Sequence, residues 1–333
     1  MVDGLFVSNF VGKSAFAAVN LIMPFLMGIS ALGFMIGTGG SAIVAKTLGE
    51  GKIENANEYF SMLVYITAIG GIIIATLSMF LVKPVAILFG ASGTLLDNCI
   101  LYGRILCISL PAFMLQNVFQ SFFVTAEKPH LGLRVIVIAG VTNMVLDFLF
   151  VAVFHLGLPG AGFATVCGEF IGGLFPLFYF GRKNSSLLKL GKTHFHGRIL
   201  LKTCTNGSSE LMTNLSSSVV NALYNMQLMK FAGEDGVAAY GTIMYVNFIF
   251  VSIFFGYAIG SAPIVSYHYG ANNQDELKNL FHKSIRLIGT WAVSLFIIAQ
   301  LIATPLATLF VGYDQGLFEL TRSGFRLYSF AFL

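Results

Sequence analysis

The chain has 333 residues, 56% of them hydrophobic and only 10% charged, with a mean hydropathy of +0.81. That balance excludes an ordinary soluble domain and describes a protein immersed in a lipid bilayer, with no nucleic-acid partner expected. The net charge of +4 is informative only through where Lys and Arg fall.

Met1 is followed by a short apolar stretch interrupted by Asp3 and closed by Lys13, too short to span, and no signal peptide is visible. Residues 14–45, 59–82, 105–126, 236–274 and 287–313 carry no Asp, Glu, Lys or Arg. Each exceeds the ~20 residues that cross a hydrocarbon core, and barrel strands would be about half as long, so these runs predict transmembrane helices. When the spans alternate sides, Lys46, Lys52, Lys128, Arg134, Arg182, Lys183, Lys189, Lys192, Arg198, Lys202, Lys278, Lys283 and Arg286 share one side, which the positive-inside rule makes cytoplasmic. Turns near Lys13, Leu96, His155, Glu234 and Asp314 then face outward.

Inside these spans, polar residues stand out. Helix four carries Gln116 and Gln120 on one face, which would either line a cleft or bond a neighbouring helix. "VTNMVLDFLF" (141–150) places Asn143 and Asp147 four apart, on one helical face, within a strongly apolar run. A carboxylate at membrane depth costs roughly 2.5–3.5 kcal/mol, so Asp147, with Asp3, Glu169 and Glu210, is a functional candidate by default. Counting from the nearest turns at ~1.5 Å per residue puts Asp3, Asp147 and Thr165 at similar depths, ~9–14 Å below the outer surface. Carboxylate, amide and hydroxyl oxygens suit a small hard cation, and a buried Asp pair equally favours a proton. Glu169, one turn past Thr165, is either a second protonation site or a partner for another helix.

Residues 181–202, "GRKNSSLLKLGKTHFHGRILLK", contain basic but no acidic residues and read as a cytoplasmic linker against anionic lipid, with His194 and His196 solvated. Beyond it, a helix from about Asn206 carries Glu210, Asn214, Ser217, Asn221 and Asn225 as one polar stripe, with Tyr224 beside it. Such a stripe would line a substrate cleft or bond to other helices. Gly33 with Gly37, and Gly168 with Gly172, follow the spacing that permits close helix approach. The four Cys show no metal spacing, and the six His are scattered, so neither a cofactor nor an intramembrane enzyme is expected.

The chain also repeats. At a shift of 221 residues, Gly12, Ala17, Ala18, Ile22 and Met23 recur as Gly233, Ala238, Ala239, Ile243 and Met244, and Gly39, Ile43, Val44, Gly49 and Phe60 recur as Gly260, Ile264, Val265, Gly270 and Phe281. Two copies of one helical unit in the same orientation follow. By the same register the first helix lacks its cytoplasmic half and the second copy stops early, predicting a chain shortened at both ends.

"VDGLFV" (2–7), "NMVLD" (143–147), "GAGFATVCGEF" (160–170) and "NGSSE" (206–210) together resemble motifs of the multidrug and toxin extrusion (MATE) antiporters, in their bacterial drug-efflux branch. The resemblance covers essentially the whole chain and implies an all-α membrane fold of two six-helix lobes. Here it implies about half of helix 1, helices 2 to 9 and part of helix 10: an N-lobe at 1–181, a basic linker at 182–205 and a partial C-lobe at 206–333. It places Asp3, Asn143, Asp147 and Thr165 at the family's cation positions and matches Glu210 to a second acidic position that some members use. Implied with it are export of organic cations against inward sodium or protons, a monomer, and the cell inner membrane. A lipid-linked oligosaccharide flippase is the related alternative, expected to need several central cations where this chain has Arg104 and, near a span, Arg322 and Arg326.

Overall fold

The computed structural model describes residues 2–183, 185–270 and 274–332, with the side chains of residues 2, 49, 255–256 and 258–270 excepted. Among these residues the chain is helical with no strand. The helices in chain order are α1 (Val2–Phe6), α2 (Lys13–Gly49), α3 (Ile53–Leu88), α4 (Gly93–Thr125), α5 (Pro129–Asp147), α6 (Gly157–Gly181), α7 (Gly197–Gly270), α8 (Gln274–Val311) and α9 (Gln315–Tyr328). Among the described residues, seven segments are long and apolar enough to cross a membrane. Helix α7 is two helices joined at Gly233, whose φ of 60° and ψ of −150° no L side chain adopts readily. Counted that way, the order is a short first helix, eight long ones and a short tenth, which is the expected all-α arrangement.

The repeat is visible in backbone and burial alike. Gly12 breaks the chain with φ 116°, and its counterpart Gly233 breaks it at the equivalent place. Ala17, Ala18 and Ile22 are fully enclosed, and Ala238, Ala239 and Ile243 are enclosed in their own surroundings.

Two compact units emerge, Val2–Phe231 and Ala232–Leu333. In the first, α4 is central and packs against α2, α3 and α6. Small residues set its approach to α2: a Cβ at Gly33 would lie 2.8 Å from the Met114 carbonyl oxygen, and one at Gly37 would lie 3.0 Å from that of Asn117. Gly173 faces Ala112 of α4, and a Cβ at Gly168 would lie 3.0 Å from the Ala139 carbonyl oxygen of α5. Because lipid tails are as apolar as Leu, such close packing, rather than expulsion of water, holds helices together here. An aromatic knot joins three of them: Phe60 sits 4.8 Å from Phe122 and 5.1 Å from Phe180, ring centre to ring centre. Edge-on pairs of this kind contribute about 0.5–1.5 kcal/mol each beyond area burial.

The first half of α7 also belongs to this unit. Its Gly207 touches Met35 of α2, Gly39 of α2 touches Thr203, and Asn225 donates to the Asn20 carbonyl at 3.1 Å. This helix starts at Gly197 rather than near Asn206. Thr203 is fully buried and Ile199 and Leu200 pack on the core, so helix-forming residues expected in the linker are part of the bundle.

The remaining linker is strapped along the start of α3. Lys189 N donates to Asn57 Oδ1 at 2.5 Å, Gly191 N to Ser61 Oγ at 3.0 Å, and His194 N to Glu58 Oε1 at 3.2 Å. His196 Nε2 stands 3.0 Å from Glu58 Oε1, and Leu188 is fully buried. His196 is therefore not merely solvated. Extended linker N–H groups found acceptors on α3 instead of leaving all of them to water.

In the second unit, Asp314 caps α9 by accepting from Leu317 N at 3.1 Å. Gln300 of α8 donates to Ser329 Oγ at 2.7 Å, and Tyr245 stacks on Phe310 at 5.8 Å.

Candidate cation site

Asp147 closes the α-helical part of α5, and from Phe148 to Val153 the backbone widens into a π turn. Asp3 lies in α1, and Val7–Val11 directly after that helix is also a π turn. The two wide turns pack on one another, and Phe6 meets Phe148 edge-on at 6.4 Å between ring centres. Such π segments are rare and gather at functional sites, because each leaves local backbone bonding irregular.

The side chain of Asp147 is fully enclosed, and among the described residues neither carboxyl oxygen is hydrogen-bonded. Asp3 lies within electrostatic reach of it. One Asp3 oxygen, Oδ2, accepts from the Tyr102 hydroxyl at 2.9 Å, while the buried Oδ1 has no partner among the described residues. Across the α5–α6 contact, Asn143 Nδ2 points at Thr165 Oγ1, 3.4 Å away. Gly168 makes that contact possible, since a Cβ there would lie 3.1 Å from the Asn143 Cβ. The structure thus pairs Asp3 with Asp147 and Asn143 with Thr165, on α1, α5 and α6.

Three orphaned carboxyl oxygens in a buried place fit a positively charged guest, because an unpaired buried carboxylate is strongly disfavoured. Among the described residues no three His, Cys, Asp or Glu cluster as metal ligands. The donors are two carboxylates with neutral oxygens, which suits an alkali cation or a proton and not a soft transition metal.

Tyr102 was not foreseeable from spacing. It is a fully buried aromatic beside Gly103 on α4, indistinguishable in sequence from a packing residue. Glu169 is in hydrogen-bond contact with Ser109 of α4. The residues expected to line a cleft divide into groups: Gln116 lies against Gly172 of α6, Gln120 is half-buried, and Asn225 is buried on α2. Glu210, Asn214 and Asn221 are half-buried, with Asn214 donating to the Glu210 carbonyl at 2.8 Å, and Tyr224 is exposed.

An all-α bundle with seven apolar spans among the described residues and a carboxylate pair buried among them defines a multi-pass membrane protein with a candidate ion site. The MatE family model matches residues 1–149 and 211–332, and the chain belongs to that family. It is 23% identical over 282 residues to the multidrug export protein MepA of Staphylococcus saprophyticus, covering 84% of this chain and 62% of that protein. It is 22% identical over 308 residues to MepA of Staphylococcus aureus strain N315, covering 91% of this chain and 67% of that protein. The chain therefore spans roughly 60% of the length of the first of these relatives. Among solved structures, it superimposes on an inward-facing multidrug resistance MATE family transporter of the MOP superfamily with a TM-score of 0.90 at 22% identity, covering 99% of this chain and 76% of that one. An outward-facing form gives a TM-score of 0.82, also at 22% identity, over 99% of this chain and 74% of that one. The family and its bacterial relatives place this multi-pass chain in the cell membrane.

Proposed function

We propose that this protein is a monomeric secondary antiporter exporting organic cations in exchange for inward sodium or protons, with Asp147, Asp3, Asn143 and Thr165 holding the coupling ion. The observation that carries this is the enclosure of Asp147 beside Asp3 with its oxygens unpartnered among the described residues. Those oxygens demand a proton or a cation, and Asn143 and Thr165 on the adjoining faces of α5 and α6 supply neutral oxygens to complete a shell. Tyr102 holds Asp3 in place from α4. An ion can drive a conformational cycle only if it binds one state better than the other. Here its charge would draw α1 towards α5, reshaping both π turns and displacing drug. The lobes of this reading meet at the linker, 182–205, and Glu210, Asn214, Asn221 and Tyr224 on α7 form the surface that drug touches. Drug-export names among the relatives support this reading, and no central cluster of Arg or Lys favours the flippase.

In proteoliposomes, Asp147→Asn abolishes efflux of a cationic dye while insertion into the bilayer is retained. Imposing a sodium or a proton gradient separately identifies the coupling ion. Dye efflux by Asp147→Asn at the wild-type rate overturns the assignment.

A further inference from the structure

Among the described residues of the first unit, one face of α4 meets no other helix. Asp97, Leu101, Arg104 and Ile108 follow one another along it and are all exposed, while Leu95, Cys99, Gly103 and Leu106 on the other side are buried. Between this face and Met79 of α3 lies a groove of about 360 Å³ lined by Asp97, Leu101, Arg104, Ile105 and Ile108. It is apolar apart from one carboxylate and one guanidinium. Neither Asp97 nor Arg104 has a hydrogen bond or ion pair among the described residues. Two opposite charges left unpaired on a lipid-facing groove need a partner from the lipid itself.

Depth identifies that partner. The 33 residues of α4 make a rod of ~50 Å, against a hydrocarbon core of ~30 Å, so ~10 Å projects at each end when the helix is centred. Asp97 is four residues from the start of α4, ~6 Å in, which leaves it in the headgroup layer. Arg104 is eleven residues in, ~16 Å, so its Cα is ~6 Å inside the hydrocarbon, and a side chain reaching ~6 Å outward brings its guanidinium to the hydrocarbon edge, directly beneath the phosphates. The groove therefore offers a cation just under the phosphates and an anion farther out.

We propose that this groove binds phosphatidylethanolamine. Arg104 takes the phosphate in a bidentate pair, Asp97 accepts from the primary ammonium lying outward of it, and the acyl chains run along Met79, Ile105 and Ile108. Phosphatidylglycerol has no ammonium for Asp97, and the trimethylammonium of phosphatidylcholine has no N–H to donate. A similar stripe occurs in the second copy one residue out of the 221-residue register, where exposed Glu319 and Arg326 are again seven residues apart. There, however, Glu319 is already engaged by Arg322 at 2.6 Å, so the assignment is confined to the first copy.

The test is native mass spectrometry of the whole chain in detergent with each of the three lipids in turn. The wild type should retain phosphatidylethanolamine best. Arg104→Gln should lower its retention about tenfold, as expected for loss of one charge-assisted pair. Asp97→Asn should bring phosphatidylethanolamine down to the level of phosphatidylcholine without lowering phosphatidylglycerol. Should Arg104→Gln fail to insert, Asp97→Asn decides alone, because its side chain is exposed at the interface. Equal retention of the three lipids by the wild type, or an unchanged lipid preference in Asp97→Asn, overturns the proposal.

Discussion

Replacing Gly33 by Ala tests whether backbone contact between α2 and α4 holds the first unit together. The added Cβ would lie 2.8 Å from the Met114 carbonyl oxygen and 2.9 Å from its Cα, against an ordinary contact of 3.4 Å or more. Both obstacles are backbone, so no side chain can swing aside and the helices must part by about 0.6 Å. Overpacking of this kind costs ~1–3 kcal/mol. Alanine gains ~1 kcal/mol over glycine in helix propensity, leaving a net loss of up to ~2 kcal/mol. At about 2–4 °C per kcal/mol for a unit of this size, the melting temperature in detergent should fall by several degrees. Gly70 on α3 is the matched control, because a Cβ there meets nothing within 4 Å. Gly70→Ala should leave the melting temperature unchanged or raise it. If both variants shift alike, close approach at Gly33 is not what sets the α2–α4 packing.

Tyr102→Phe removes only the hydroxyl held by Asp3 and should weaken apparent affinity for the coupling ion about tenfold, read as the sodium or proton concentration giving half-maximal efflux. Glu58→Gln removes the charge facing His196, and limited trypsin digestion should then cut at Lys189 and Lys192 severalfold faster than in the wild type. Gly12→Ala and Gly233→Ala should each cost ~1–3 kcal/mol from backbone strain alone, seen as comparable losses of thermal stability, because neither position has a neighbour for a methyl to strike.

Much of the bundle is legible in the sequence because a membrane helix must carry its own signal: a long charge-free run, with basic residues at one end. Asp147 and Asn143 were legible for the same reason, since polar residues in oil are rare enough to be conspicuous. The small-residue spacing at Gly33 and Gly37 marked a helix contact without naming the partner, and the structure supplies α4. Tyr102 was hidden because a tyrosine among phenylalanines looks like packing, and its hydroxyl finds Asp3 across 99 residues of chain. The strap escaped notice because it is built from linker N–H groups meeting Asn57, Ser61 and Glu58 more than 120 residues away, contacts that leave no periodic trace. The early start of α7 was obscured by its basic residues, Arg198 and Lys202, which resemble a surface loop until Thr203 is seen buried between them and α2. The π turns have no compositional mark at all.

Those turns have a mechanical corollary. A π turn holds one residue more than the α turn it could become, so tightening it rotates everything beyond by roughly a hundred degrees while the helix before it stands still. With one such slack coil following Asp147 and another following Asp3, neutralising a carboxyl could wind or unwind a single turn, and the outer ends of two helices would swivel without either having to slide through its neighbours.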